Sequence, residues 1–334
     1  MITPADFAVF VTNVNTMIGQ AYSSAEPEAP AFVSPVPITG SIYEDGWTGR
    51  MPKARVWLGP RVVHEPGPLT YTAQPFPYEL TAGVDRFRVD DDLHGIYYRV
   101  LPDLALQMKL LMTYETRDLL ENAGNYTGTR QNGLDGLSYF NTAHPVDFYD
   151  SSKGTYSNDF SGGGANVTFK NPAGATQTVL VGGALSPVAL QTMWEYMTTL
   201  KGEDGEVLGV EPTTLMVPSL LKGEAEFIVN STFLAPPAWG SITGQVGAAD
   251  NPLRRFGLDI LVHKRLKLLN TWYLQDNSKA VKSVRWGIRE APVLVPQVTE
   301  NAPNVFNEHK YVWGYWSRGT ALWSFSWLMC RSSP

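Results

Sequence analysis

Tyr43-Glu44-Asp45-Gly46-Trp47-Thr48-Gly49-Arg50-Met51-Pro52, followed by Trp57-Leu58-Gly59, is the stretch whose reading decides the fold. It lies in a segment, residues 41–80, that contradicts itself locally. Gly46, Gly49, Gly59 and Gly67 stand among Pro52, Pro60, Pro66, Pro68, Pro75 and Pro77. A core strand would lack those prolines, because proline cannot donate to a strand ladder. A disordered linker would lack Trp47, Val56, Trp57, Leu58, Tyr71 and Phe76, because such segments are poor in aromatic and β-branched residues. One arrangement satisfies both: a long two-stranded excursion that packs poorly alone and docks on a neighbour.

The flanking segments are more regular. Pro4 fits the first turn of a helix and Thr3 its N-cap. Phe7, Phe10, Val11, Val14, Met17 and Ile18 follow at helical spacing, which predicts a helix over residues 1–22. Pro27, Pro30, Pro35 and Pro37 then stop any helix and mark an extended arm. Beyond the excursion, Leu80, Val84, Phe87 and Val89 alternate as one strand over 78–92. Asp90-Asp91-Asp92 is expected at a helix N-terminus, where acidic side chains oppose the positive helix end. Leu101, Leu104, Ala105, Met108, Leu111, Met112, Leu119 and Leu120 fall at three- and four-residue steps. They predict one long helix from Pro102 to Ala123, with Gly124 as its C-cap.

The second half is loop-rich to residue 185, with Gly162-Gly163-Gly164 expected as a flexible tip. A helix opens at Ser186-Pro187. Leu215-Met216-Val217-Pro218 reads as a buried strand before a helix over Ser219 to Asn230. Further strands are expected at Asp259–Val262, Thr271–Leu274 and Val284–Ile288, and over Tyr311 to Met329.

Composition narrows the function. Charged residues are only 17% of the chain, which carries ten Trp, 15 Tyr and 14 Phe. Charge is depleted and aromatics are enriched in interface cores, so assembly would cover such a surface. The net charge of −6 excludes a strongly basic nucleic-acid face. Arg254-Arg255 and Lys264-Arg265-Lys267 are expected on a solvated strand edge. The single cysteine, Cys330, excludes an internal disulfide framework and reads as a small core residue. No basic leader precedes an apolar run at the start of the chain, and none is long enough to span a bilayer. The expectation is a soluble protein of the cytoplasm with no membrane partner.

Catalytic signatures are missing: no Walker loop, no Gly-x-Ser-x-Gly elbow and no zinc helix. The Asp triplet lacks the ligand spacing of a calcium loop. The five histidines are scattered. His144-Pro145 with Asp135 or Asp147 is the one suggestive cluster. Its competing readings are a hydrolase site, which would need a Ser or Cys beside His144, and a turn residue. No catalytic, cofactor or metal residue is assigned.

The order of segments resembles the tailed-phage capsid fold named after phage Hong Kong 97, an α+β fold. More closely, the chain resembles the Mu-like major head subunit family, gpT. The excursion motif carries this resemblance. So do Phe87-Arg88-Val89-Asp90-Asp91-Asp92, Leu134-Asp135-Gly136, and Phe140-Asn141-Thr142-Ala143-His144-Pro145. Trp272-Tyr273-Leu274, Arg289-Glu290-Ala291-Pro292, Tyr311-Val312-Trp313-Gly314 and Arg318-Gly319 extend it to about residue 330. The resemblance implies an N-terminal arm at 1–40 and an extended loop at 41–80. It implies a peripheral domain with a spine helix at 81–130, an axial domain at 131–265, and a return to the peripheral domain at 266–334. It also implies pentamers and hexamers closing an icosahedral shell around double-stranded DNA, which is enclosed without sequence-specific binding. The partners would be other copies of the chain, with scaffold, portal and decoration proteins. The subunit would end in the virion after synthesis in the host cytoplasm. Trp47, Arg50, Trp57, Leu58 and Phe76 are the expected inter-subunit contacts. The competing structural reading is another phage component, such as a tail-tube or decoration protein.

Overall fold

The computed structural model describes residues 4–47, 54, 56–61, 69–91, 96–170, 176–234, 249–299 and 301–334. Helix α1 (Pro4–Ser24) buries the stripe Phe10, Val14 and Ile18. The proline-rich arm becomes strand β1 (Val33–Pro37). Strands β2 (Tyr43–Trp47) and β3 (Leu69–Ala73) pair antiparallel, with Asp45 opposite Tyr71. They form the base of the excursion.

Strand β4 runs from Phe76 to Asp85 and stops there. The expected strand over 78–92 is therefore too long. The Asp85 carboxylate accepts the backbone N–H groups of Phe87 (2.9 Å) and Arg88 (3.4 Å). This N-cap starts a short helix, α2 (Arg86–Asp90). The acidic triplet thus does not open a helix: Asp90 ends α2, Asp91 follows it, and Asp92, like Thr3, lies outside the described residues.

The expected long helix is two helices, α3 (Ile96–Lys109) and α4 (Leu111–Leu120), with Pro102 inside the first. Their rod is nearly continuous. Leu110 N–H donates to Leu106 O and Tyr114 N–H to Leu110 O, both at 3.0 Å. Asn122, not Gly124, makes the C-terminal turn with φ +55°. Ala123 N–H reaches back to Asp118 O at 2.8 Å and Asn122 N–H to Leu119 O at 3.4 Å, the paired bonds of a Schellman cap.

Two-residue strands β5 (His144–Pro145), β6 (Thr155–Tyr156) and β7 (Asp159–Phe160) follow, then the hairpin of β8 (Ala165–Lys170) and β9 (Thr176–Val181). The glycine turn before β8 is tied down at the base of this hairpin. Gly163 N–H donates to Ser333 O and Gly164 N–H to Phe160 O. Its backbone lies against Gly182, where φ is +82° and an added Cβ would stand 2.6 Å from Phe160 Cβ. Ser186 caps α5 (Pro187–Thr199), accepting the Ala189 N–H at 3.1 Å. Strand β10 (Thr214–Pro218) is buried throughout and leads to α6 (Lys222–Asn230). The rest comprises β11 (Phe233–Leu234), β12 (Ala249–Asp250), β13 (Asp259–His263), β14 (Trp272–Gln275), β15 (Val284–Gln297), α7 (Pro303–Glu308), β16 (Lys310–Trp323) and β17 (Met329–Ser332).

Two sheets organise these elements. One has the order β1-β15-β16-β4, the other β13-β10-β14-β17-β7. Strand β1 tolerates Pro35 and Pro37 because it forms an edge of the first sheet. Strand β15 is much longer than expected. It crosses a bulge between Ile288 and Val293 that holds Pro292, a place where proline costs no ladder bond. Leu104 and Met108 pack with Tyr311, Trp313 and Tyr315 of β16, while Leu119 packs with Ala321 and Trp323. Between the two sheets, Tyr139 stacks on Trp323 with centroids 3.7 Å apart, and Phe140 and Tyr273 extend the aromatic core.

Candidate assembly site

The excursion is fixed at its root by charge. Arg285 on β15 is nearly buried, with a side-chain exposure of 7%. Its guanidinium bonds the Asp45 carboxylate on β2, the Tyr43 hydroxyl at 3.0 Å and the Trp323 carbonyl at 2.9 Å. Arg289 donates to the carbonyls of Ile38 and Thr39, just before β2. Burial raises the pKa values of Tyr43 and Tyr71, so both phenols remain neutral at the root. A cavity of about 240 Å³ lies beneath, lined by Tyr71, Phe76, Tyr126, Arg130 and Thr320 among others.

Further out the chemistry changes. Val56, Trp57 and Leu58 are 79%, 67% and 80% exposed. Trp57 donates its ring N–H to Gly59 O at 2.9 Å, and the Arg61 guanidinium lies 4.9 Å from its ring centre. A Trp and a Leu held open to water lose roughly 25 cal/mol for each Å² that contact would cover. The arrangement has a rigid root and an apolar outer segment.

The expected contact residues therefore divide. Trp57 and Leu58 are exposed on the excursion. Trp47 ends β2 opposite Leu69, but its side chain and all of Arg50 lie outside the described residues. Phe76 belongs to β4 and not to the excursion. It is half-buried against Tyr78 and Tyr126, with Arg130 over its face at 4.5 Å. Asp45 and Arg285 were not singled out from sequence. They stand 240 positions apart, and only the fold brings them together.

His144 is a core residue and not a turn residue. It is fully buried in β5, with Nδ1 2.5 Å from Asp135 Oδ2. Its Nε2 faces Tyr139 O at 2.9 Å and Asn158 Oδ1 at 3.1 Å. Asp147 instead accepts the backbone N–H groups of Tyr149 and Asp150. The ring's two nitrogens are thus both engaged by oxygen acceptors, and neither is aimed at a Ser hydroxyl or a thiol. Cys330 is buried in β17, where burial pushes its thiol pKa up, away from a nucleophilic thiolate. Nor do the basic clusters form a free strand edge. Arg265, in the turn after β13, pairs with Glu28 at 2.7 Å, and Arg254 and Arg255 sit in a 3-10 turn.

The chain matches the family described as Mu-like prophage major head subunit gpT over residues 7–169, 177–247 and 264–333. It belongs to that family. It is therefore a phage major capsid protein. The major capsid protein of Escherichia phage Mu is 24% identical over 289 residues, covering 70% of this chain and 92% of that one. The capsid of bacteriophage JBD30 superposes with a TM-score of 0.53 at 19% identity, over 72% of this chain and 90% of that chain. The JBD30 capsid decorated with minor capsid protein trimers gives 0.50 at 19%, over 72% and 92%. The fold of this head subunit is the Hong Kong 97-type α+β capsid fold. Among its described residues, no helix is long and apolar enough to cross a membrane.

Proposed function

We propose that this head subunit works by self-association, forming rings of five and six that close into an icosahedral shell around double-stranded DNA. The observation that carries this is the exposed Val56-Trp57-Leu58 segment on an excursion whose root is clamped by Arg285. A clamped root presents the same apolar surface in every copy, and repetition around a closed ring multiplies a modest contact. Trp57 and Leu58 are the anchors on the neighbouring copy, with Trp47 and Arg50 beside them. In this reading residues 1–40 are the arm, 81–130 and 266–334 the peripheral domain and 131–265 the axial domain. The subunit has no catalytic role, because His144 and Asp135 are spent on each other and on backbone. It is made in the host cytoplasm and reaches the virion through scaffold and portal proteins. Minor capsid proteins, seen as trimers on the JBD30 capsid, are candidate outer partners. Electron microscopy of the purified full-length protein tests the reading. Closed shells or capsomers are expected; tubes or small discrete particles would overturn it.

A further inference from the structure

Strand β4 ends the first sheet and is paired on one side only. Just past it, the Arg86 N–H donates to His309 O at 2.8 Å, in step with the pairing of Asp85 opposite Lys310. Bonded and non-bonded positions alternate along an antiparallel strand, and the register with β16 is unbroken from Phe76 to Asp85. Even-numbered residues of β4 therefore bond β16, and odd-numbered ones direct their N–H and C=O off the sheet. Pro77, Glu79, Thr81 and Gly83 are also the exposed positions of the strand. Among the described residues, nothing bonds the outward backbone of Glu79, Thr81 or Gly83. A Cβ added at Gly83 would meet only Val312 and Tyr311 O, both on β16, so the outer side is open.

A long open edge is a template for another strand, and proteins blunt such edges with proline, lysine or short length. The other edges of the two large sheets are blunted in this way. Strand β1 holds Pro35 and Pro37, β15 beyond the end of β1 holds Pro292 and Pro296, and β7 has two residues. Strand β13 runs into Lys264 and Arg265. Strand β4 has ten residues, no Lys or Arg, and its single proline near one end.

This strand is its own complement. Laid antiparallel on a second copy and centred on Thr81, it sets Thr81 opposite the partner's Thr81, Glu79 opposite the partner's Gly83, and Asp85 opposite the partner's Pro77. The first two pairs exchange both backbone bonds. The Asp85 N–H donates to the proline carbonyl, the one backbone bonding group a proline has. Facing threonines stabilise a strand pair, and like charges directly opposite destabilise it. Centring on Glu79 would oppose two carboxylates, and centring on Ala82 would set Glu79 against Asp85. Centring on Leu80 would put Pro77 opposite Gly83 and leave the Gly83 carbonyl unbonded. We propose that β4 is a pairing edge, through which two head subunits join their first sheets into one antiparallel sheet across a two-fold axis. The contact presents the same surface from both copies, whereas contacts within a ring are head-to-tail. It therefore joins a subunit of one ring to a subunit of the next. The inference rests on the self-association proposed above and names the surface between rings.

The test uses the full-length protein, assembled and then mildly oxidised, with folding checked by circular dichroism. The native Cys330 is buried, so the background is low. Thr81→Cys should give at least about tenfold more covalent dimer than the parent, because Cα atoms of a hydrogen-bonded pair lie about 5.5 Å apart, within disulfide reach. Glu79→Cys and Gly83→Cys should each give little dimer alone, since each faces a different residue, and a mixture of the two should cross-link. Thr81→Pro removes the central N–H at an edge that tolerates proline, so it should lower shell yield while keeping the unfolding midpoint. Shells of Thr81→Cys without cross-links, Glu79→Cys linking as readily as Thr81→Cys, or Thr81→Pro shells in the parent's yield would refute the pairing and leave the shell-forming function intact. Cross-links without shells would support the pairing and overturn that function. Neither cross-links nor shells would remove both.

Discussion

His144 stands beside Pro145, and a histidine beside a proline reads as a turn residue. The fold makes it something else, a fully buried ring held by Asp135, Tyr139 and Asn158. Its partners lie between 5 and 14 positions away, so their sequence proximity was visible but their geometry was not. Removing one partner of a buried hydrogen bond leaves the other unsatisfied, at a cost of about 1–3 kcal/mol. His144→Ala should thus lower the thermal midpoint by several degrees, and no hydrolytic activity should be lost with it. An unchanged midpoint would contradict the packing described. His263 gives a second residue-level expectation. Burial lowers its pKa from 6.5 to about 4, and the Arg265 N–H already bonds its Nδ1 at 3.3 Å. Between those two pH values the unfolded chain binds more protons than the folded one. Stability is therefore fully present above about pH 6.5 and falls as the pH drops towards 4, by about 3 kcal/mol in all. Urea titrations of the parent and of His263→Gln at pH 7 and pH 4.5 should differ in this slope. Equal slopes would refute the burial effect.

Elements whose signals are local were legible. The spacing of Phe10, Val14 and Ile18 marks α1, Ser186-Pro187 marks the start of α5, and the run 215–218 marks β10. Elements shaped by distant partners were not. Val84, Phe87 and Val89 continue an alternating pattern, but the Asp85 side chain captures two backbone N–H groups and turns the chain into α2. Strand β15 runs on past Pro292 because a bulge absorbs it. The antiparallel pairing of β2 and β3 agrees with a two-stranded reading of the segment rich in proline and tryptophan, whereas its clamp depends on Arg285, which is distant in sequence. The clamp makes an element-level prediction. Asp45→Ala leaves a nearly buried guanidinium short of its carboxylate, at about 1–3 kcal/mol once the partial exposure of Asp45 is allowed for. Amides of β2 and β3 should then exchange with solvent at least about tenfold faster, while β15 and β16 keep their protection. Equal exchange across all four strands would show that the carboxylate does not hold the root.

At the scale of the whole molecule, the charge and aromatic content acquire a place. Trp272, Trp313 and Trp323 fill the core, whereas Trp57 stands exposed on the excursion. Low charge and high aromatic content thus serve a dense interior and, in the proposed reading, surface for other copies. The proposed driver of shell formation is the excursion's apolar segment. It is tested most directly by electron microscopy and sedimentation of the purified parent beside the double variant Trp57→Ala, Leu58→Ala. Both residues are exposed, so the variant should keep the parent's circular dichroism and unfolding midpoint. Losing two anchors of about 2 kcal/mol each per contact should reduce shell yield by more than about a hundredfold. The parent should form shells, and the variant should remain as soluble, folded subunits. Shells of the same yield and form from both would contradict it.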